Sequence, residues 1–227
     1  MATKPLPWFR QGLAILRKDL RIEFRTRYAY SALVMFAITT LVTVSFSVGG
    51  YAMDADITAA LLWIILFFSA MAGLARTFVH EEETGTVTAL KMAAQSEPVL
   101  IGKYLFNVTL LLSLTVLVVP LFLVMLNQTV QLPIAFVATV FLGALGLAGA
   151  STILAAIVSK AGAKGSLMTV LAFPVLLPLL FAAISATRTA LGGGLVANIR
   201  SDLLLLFFYN GVAVVASLLL FEYIWNE

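Results

Sequence analysis

The residues most able to do chemistry in this chain lie in one polar stretch, 78–92, between two long apolar runs. The stretch holds three adjacent carboxylates and a Gly-Thr pair, and it continues into a short segment in which Val87, Leu90 and Ala94 recur at helical spacing. Three unpaired carboxylates cannot lie in hydrocarbon, so we expect the stretch to lie in water. It is either a solvated connector or a docking loop for a soluble partner. The candidate docking residues are Glu81, Glu82, Glu83, Gly85, Thr86 and Leu90.

A docking loop has to be rigid, and three features of this stretch favour rigidity. Gly85 allows a backbone turn that a side chain would resist. Thr86 is placed to cap the short helix through its hydroxyl. Carboxylates just ahead of a helix favour its positive end, and we expect Glu81 and Glu83 to be free on their other side to meet Arg or Lys of a partner.

The sequence offers few residues for other kinds of catalytic or binding site. Cysteine is absent, which excludes disulfides and cysteine nucleophiles, and the single histidine, His80, excludes a His-based metal site within one copy. No phosphate-binding loop motif is present. A proton-coupled carrier usually needs an ionisable residue near mid-membrane. Because the apolar runs carry charge only near their ends, we expect the energy for any transport to come from a partner protein.

The composition is that of a polytopic membrane protein. The 227 residues are 62% hydrophobic, with a mean hydropathy of +1.06, and only 11% are charged. The net charge of +3 comes from cations at the ends of the apolar runs, so it indicates no nucleic acid partner. The fold class predicted is all-α, with six transmembrane helices after an amphipathic helix.

The first element is predicted to lie on the membrane surface. Residues 6–27 place one apolar stripe beside a row of cations, a pattern typical of a helix in the headgroup layer; packing on a protein surface is the alternative. The long charged region ahead of the first apolar run does not resemble a cleaved signal peptide. The six spans are predicted at about 29–48, 57–78, 99–126, 132–159, 167–186 and 203–221.

Two spans carry special residues. Gly143, Gly146 and Ala150 share one face of the fourth span, where they predict close helix approach. Pro174 and Pro178 share one side of the fifth span, and each removes a backbone hydrogen bond. This pair is a candidate hinge or cavity wall, or a passive kink. We expect residues 188–202 to form a flexible outer loop.

The distribution of cations predicts the orientation. With these spans, twelve of the fourteen Lys and Arg residues lie on one side of the membrane, and only Arg188 and Arg200 lie on the other. The positive-inside rule then places both termini and the polar stretch in the cytoplasm. The predicted organisation is an interfacial helix at 1–28 and a membrane domain at 29–227, with a cytoplasmic coupling loop at 79–98.

The polar stretch resembles the cytoplasmic loop of ABC-2 class permeases. The residues that carry the resemblance are Glu81-Glu-Glu83-Thr-Gly85-Thr86, a short helix, and Gly102-Lys103 opening the next span. Within that class the chain is similar to the haem exporter protein B (CcmB) family of cytochrome c maturation. Further matching segments are Phe9 with Lys18-Asp19-Leu20-Arg21, Leu74-Ala-Arg76-x-Phe78, and Phe173-Pro174-Val-Leu-Leu-Pro178.

The resemblance implies an ABC-2-like permease fold in a bacterial inner membrane and a transport role without enzymatic activity of its own. Two copies would pair with two copies of a CcmA-type ATPase, which would bind the ATP, and would work with CcmC-, CcmD- and CcmE-type haem-handling proteins. Hydrolysis would drive haem delivery, or release of the haem-loaded chaperone, at the outer face. Haem is then the cargo, and no cofactor is held tightly by this chain, since Cys is absent and only Tyr51 and Met53 lie near the predicted outer face.

Three readings of function remain open at this point. The first is the ABC permease subunit, of this or another ABC-2 exporter. The second is a self-sufficient channel or secondary carrier, which the lack of mid-membrane charge disfavours. The third is a membrane scaffold that anchors an ATPase without passing a substrate, and it requires the same docking loop as the first.

Overall fold

The computed structural model describes residues 7–49, 53–74, 77–78, 81, 85–160, 166–194 and 196–226. Within those ranges the chain forms eight α-helices and no strand. The helices are α1 (Trp8–Thr26), α2 (Tyr28–Val48), α3 (Ala55–Leu74), α4 (Val87–Ala93), α5 (Ser96–Met125), α6 (Pro133–Lys160), α7 (Ser166–Gly192) and α8 (Val196–Asn226).

Six of these helices, all except α1 and α4, are long and apolar enough to cross a membrane. A bilayer core about 30 Å thick needs about 20 residues of helix, and each of the six has at least that many. The predicted all-helical, six-span architecture is therefore confirmed. The loop side of the molecule is the side that carries α4, and the far side is the one that carries the α2–α3 and α5–α6 turns.

The bundle is built around α6, which packs against α5, α7 and α8, while α3 packs against α2 and α7. The close approach predicted for the small residues of α6 is confirmed. A Cβ atom added at Gly143 would lie 2.0 Å from the Trp63 ring, and one added at Gly146 would lie 2.5 Å from Leu179. The indole of Trp63 is fully buried and donates a hydrogen bond to Thr187 Oγ1 at 2.9 Å, which ties α3 to α7.

The prediction of a flexible outer loop at 188–202 is wrong. Helix α7 continues to Gly192 and α8 begins at Val196, so only a short turn joins them. Gly193 makes that turn with φ +72°, and the Gly194 N–H donates to Thr189 O at 3.2 Å. The sequence prediction ended the spans at charged residues, but helices extend past the hydrocarbon, where charged side chains are solvated.

Helix α1 is confirmed over Trp8–Thr26, and Leu6 lies outside the described residues. One of its faces packs on the start of α5: a Cβ at Gly12 would lie 3.3 Å from Pro98 O, and one at Gly102 would lie 2.8 Å from Ile15 Cβ. The protein-packing alternative for α1 therefore holds on this face.

The apolar stripe predicted for α1 lies beside the packing face. The buried residues are Gly12, Ile15 and Asp19, whereas Phe9 is 57% exposed and Phe24 is 77% exposed. Leu16 and Leu20 of the stripe pack against the core, and only Phe9 and Phe24 at its ends are left available to lipid, so placement of α1 in the headgroup layer stays a prediction. Helices α1 and α2 meet at Arg27, whose φ is +53°.

Candidate functional site

The turn that leads into α4 has the expected backbone. Gly85 has φ +68°, the left-handed conformation that favours glycine, and the Thr86 N–H donates to Glu81 O at 3.0 Å. Helix α4 follows from Val87 to Ala93. Of the predicted docking residues, Glu82 and Glu83 lie outside the described residues, as does His80.

Glu81 lies in a buried ion cluster that joins three elements. Its Oε1 atom accepts hydrogen bonds from Lys103 Nζ on α5, at 2.9 Å, and from Lys18 Nζ on α1. Asp19 completes the cluster, with Oδ2 at 3.0 Å from Lys103 and Oδ1 at 3.1 Å from Lys18. The side chains of Asp19, Glu81 and Lys103 are almost fully buried. We call Lys18, Asp19, Glu81 and Lys103 together the loop cluster.

The expectation that Glu81 is free on one side to meet a partner is therefore wrong. The residue is 5% exposed, and both carboxylate oxygens are engaged within the molecule. The sequence argument treated the three glutamates as equivalent, but a lysine buried at the start of a span requires a carboxylate beside it. Glu81 fills that requirement for Lys103.

The electrostatics of the cluster favour the charged forms of Glu81 and Lys18. Burial alone would raise the pKa of Glu81, but the charge of Lys103 and hydrogen bonds from Lys18 and Thr86 outweigh it and lower the pKa to about 2. Burial works against the charge of Lys18 as well, yet its contacts with Glu81 and Asp19 leave its pKa raised. The turn before α4 is thus fixed to α1 and α5 by paired charges at neutral pH.

Thr86 occupies the N-cap position of α4 as predicted, but its hydroxyl does not cap the helix. It donates instead to Glu81 Oε2 at 2.6 Å. A capping hydroxyl accepts from a helix N–H and needs extended backbone at its own residue, whereas Thr86 has φ −89° and ψ −4°. The predicted capping is wrong, and Thr86 instead ties the start of α4 to the loop cluster.

Helix α4 has one face on the bundle and one face outward. Val87 and Leu90 point toward a small cavity that they share with Phe78 and Trp225. The outward face is small and apolar, and Met92 on it is 80% exposed. The exposed residues of α4 are Thr88, Ala89, Met92 and Ala93. Of the predicted docking residues, Leu90 therefore lies on the face that anchors α4 to the bundle.

An aromatic stack at the end of α8 packs against the bundle-facing side of α4. Phe221 lies between Phe78, with ring centroids 5.5 Å apart, and Trp225, at 5.4 Å. Lys91 of α4 lies over the Trp225 ring, with Nζ 5.6 Å from its centroid. The exposed face of α4 borders an open groove of about 570 Å³, whose charged lining residues are Lys91, Glu97 and Glu222.

A buried hydrogen-bond chain runs from the loop side into the bundle. Asn107, one turn beyond Lys103, accepts from Thr77 Oγ1 at 2.8 Å and donates to Thr152 Oγ1 at 2.8 Å. Thr152 donates in turn to Ala148 O of α6. Sequence reasoning missed this chain and the roles of Lys18 and Asp19. The available signal was Lys103, a charge inside an apolar run that needs a partner.

The paired prolines lie inside the continuous helix α7. Both are exposed on the outside of the bundle, on the same side as predicted, and the neighbouring Phe173 is 55% exposed. Tyr209 of α8 donates a hydrogen bond to Val175 O, between the two prolines, at 3.0 Å. A cavity wall that includes Pro174 and Pro178 would thus have to be closed by something outside this chain.

No group of three or more His, Asp or Glu residues with metal-site geometry occurs among the described residues. Tyr51 lies outside them, and Met53, at the start of the described far-side segment, packs against the core.

Comparison with known proteins identifies the family. The family model described as CcmB protein matches residues 10–223, almost the whole chain. The chain is also 25% identical over 182 residues to a protein from Bradyrhizobium diazoefficiens named heme exporter protein B, covering 79% of this chain and 82% of that protein. The chain is therefore a multi-pass bacterial membrane protein that belongs to the CcmB family of haem-export ABC transporter permeases.

Proposed function

We propose that this chain couples ATP hydrolysis by a CcmA-type ATPase to haem export or delivery, or to release of a haem-loaded chaperone, and that α4 is the helix on which the ATPase docks. The observation that carries the proposal is the outward face of α4. Thr88, Ala89 and Met92 leave it small, apolar and exposed, although the helix itself is held on the bundle. A surface of this kind suits close contact with a second protein.

Rigidity supports the same proposal, because a helix that moves independently of the bundle transmits no force. The loop cluster fixes the turn before α4 through Glu81, and the Phe78–Phe221–Trp225 stack supports α4 from below. Force applied to the face around Met92 would therefore reach α1 and α5 through Glu81, and α8 through Trp225.

The remaining parts of the proposal follow from the family and from the cation distribution. Both termini and α4 lie in the cytoplasm, and the far side faces outward. Two copies of the chain pair with each other and with two ATPase copies, and CcmC-, CcmD- and CcmE-type proteins handle the haem. Glu82 and Glu83 remain candidates for contact with basic residues of the ATPase, together with the Gly85–Thr86 turn.

Pro174 and Pro178 are proposed as a hinge in α7. Their exposure on the outside of the bundle places them where a second copy could pack, and each removes one backbone hydrogen bond from the helix. Bending at these positions would move the loop-side half of α7 relative to its far-side half. The alternative is a kink that stays fixed during transport.

The test is co-purification of the ATPase with tagged permease carrying Ala89→Arg and Met92→Glu. Charge and bulk on the α4 face should reduce retained ATPase about tenfold or more, because the substitutions remove close apolar contact and leave charge at the interface. The matched control is Asp54→Lys with Ala55→Glu on the far side, which should retain wild-type amounts.

Equal retention by the two double variants would contradict docking through α4. The scaffold alternative predicts the same loss of ATPase but no change in haem-loaded chaperone release when ATP hydrolysis is blocked. Release that stops with hydrolysis, in membranes where the ATPase stays bound, favours the coupled permease over the scaffold.

A further inference from the structure

A cavity of about 110 Å³ lies between α5, α6 and α8, in the loop-side half of the bundle. Its apolar lining residues are Leu100, Ile101, Gly149, Val214 and Leu218. Val214 is 41% exposed and Leu218 is 36% exposed, so the cavity borders the outside of the bundle. In a membrane that surface faces lipid, and the cavity can therefore be entered from the bilayer.

Three hydroxyl groups line this cavity, and they differ in how they are paired. Thr152 Oγ1 accepts from Asn107 Nδ2 at 2.8 Å and donates to Ala148 O at 2.6 Å. The hydroxyls of Tyr104 and Ser217 make no hydrogen bond within the described part of the chain, although Ser217 is only 7% exposed. Leaving a buried hydroxyl without a partner is costly. The cavity thus presents two donors that need an acceptor.

Hydroxyls elsewhere in the same helices are paired inside the molecule. Ser113 of α5 donates to Leu110 O at 2.7 Å, and Tyr209 of α8 donates to Val175 O at 3.0 Å. Such pairing is the rule for buried polar groups. The acceptor for Tyr104 and Ser217 therefore has to come from outside the chain. Water is a poor occupant because it needs about two to four polar partners and most of the lining is apolar.

The two hydroxyls lie near the edge of the hydrocarbon. Helices α5 and α8 have 30 and 31 residues, or about 45 Å each, which exceeds a hydrocarbon core of about 30 Å. Tyr104 and Ser217 each lie about 12–14 Å from the loop-side end of their helix. If the excess length is shared between the two ends, both residues lie about 5 Å inside the hydrocarbon.

The direction of the tyrosine side chain brings its hydroxyl closer to that edge. A helical side chain leans toward the N-terminus of its helix, and the N-terminus of α5 is on the loop side. The Tyr104 hydroxyl is thereby directed toward the level at which the ester groups of phospholipids join the acyl chains. An ester carbonyl is a hydrogen-bond acceptor and carries no donor.

We propose that this cavity is a phospholipid site, in which ester carbonyls accept hydrogen bonds from Tyr104 and Ser217. The first methylene groups of one acyl chain fill the apolar part of the cavity, between α5 and α8. The lipid joins these two helices on the loop side, close to the Phe221 and Trp225 rings that pack against α4.

The experiment compares two phosphatidylcholines of equal chain length, one with ester-linked and one with ether-linked chains. The ether lipid has a methylene group in place of each carbonyl, so it keeps the shape and loses the acceptor. The purified chain is reconstituted with equal parts of both and mildly delipidated, and the lipid that stays bound is identified by native mass spectrometry. The ester lipid should be retained about tenfold over the ether lipid, because it alone can accept from both hydroxyls.

Two double variants locate this preference. Tyr104→Phe with Ser217→Ala should bring the ratio of ester to ether lipid to about one. The matched control is Tyr209→Phe with Ser113→Ala, which removes the same atoms from hydroxyls that donate inside the molecule, and it should keep the wild-type ratio.

The ratio in the wild-type chain tests the proposal even if a variant is unstable. Equal retention of the two lipids, which is the result expected for water in the cavity, would overturn it, as would a wild-type chain that retains neither lipid. A preference for the ester lipid that persists in Tyr104→Phe with Ser217→Ala would place the lipid elsewhere on the molecule and overturn it as well.

Discussion

The two ends of the bundle use ion pairs in opposite ways. On the loop side, Lys103 is 3% exposed and is shared by Asp19 and Glu81. On the far side, Arg188 and Asp56 form one pair at 3.2 Å, with side chains 51% and 69% exposed. The chemical groups are similar, and the difference is burial.

Burial decides what each pair can do. An exposed pair contributes about 0–1 kcal/mol and leaves its helices free to adjust. A buried pair contributes little net stability when intact, but removing one partner leaves an uncompensated charge, at a cost of about 3–5 kcal/mol. The loop side is therefore held in one arrangement, which suits the end that receives force from a partner.

Removing Lys103 should produce the largest effect. Lys103→Met leaves the buried carboxylates of Asp19 and Glu81 with Lys18 alone, whose side chain is 39% exposed, and the free energy of unfolding should fall by about 3–5 kcal/mol. Denaturant unfolding of the purified chain in detergent measures this loss. Arg188→Met on the far side should cost about 0–1 kcal/mol. Similar losses for the two variants would contradict the contrast between the two ends.

Acid should weaken the loop side more than the far side. The pKa of Glu81 is lowered from 4.5 to about 2, so its contribution to stability is present above pH 4.5 and is lost as the pH falls toward 2. The unfolding midpoint, followed from pH 7 to pH 2, should drop in this range. Glu81→Gln should flatten the drop, and Asp56→Asn should not. An unchanged acid profile in Glu81→Gln would show that other groups control it.

A smaller loss of stability is expected from a change at Gly102, where α5 contacts α1. Gly102→Ala places a methyl group 2.8 Å from Gly12 O and from Ile15 Cβ, so α1 must shift, at a cost of about 1–3 kcal/mol. Gly211→Ala in α8 meets nothing within 4 Å, so it should leave α1 unchanged and stabilise its own helix by about 0.5–1 kcal/mol. Hydrogen exchange of the α1 amides measures how far α1 is destabilised. Equal exchange in both variants would show that the Gly102 contact does not hold α1 on α5.

Much of the architecture could be predicted from the sequence because apolar runs of about 20 residues and cation-rich ends are strong signals. The six spans, the α1 and α4 helices, the turn at Gly85 and the small-residue face of α6 all follow from such patterns. These features depend on local composition and spacing alone.

What could not be predicted depends on contacts between distant elements. The burial of Glu81 requires Lys18 and Lys103, which come from α1 and α5, and no local pattern distinguishes Glu81 from the two glutamates that follow it. The same holds for Thr86, which was expected to cap α4 and instead donates to Glu81. The extension of α7 and α8 was missed because charge marks where the hydrocarbon ends and not where a helix ends.

The most direct test of α4 as the docking helix is site-specific cross-linking, since the chain contains no cysteine and each introduced one is unique. Met92→Cys and, on the far side, Asp54→Cys are each labelled with a photoactivatable group in membranes that contain the CcmA-type ATPase. Illumination should join the ATPase to the permease from Cys at position 92 and not from position 54. Cross-linking from position 54, or none from position 92 while the ATPase still co-purifies, would contradict docking through α4.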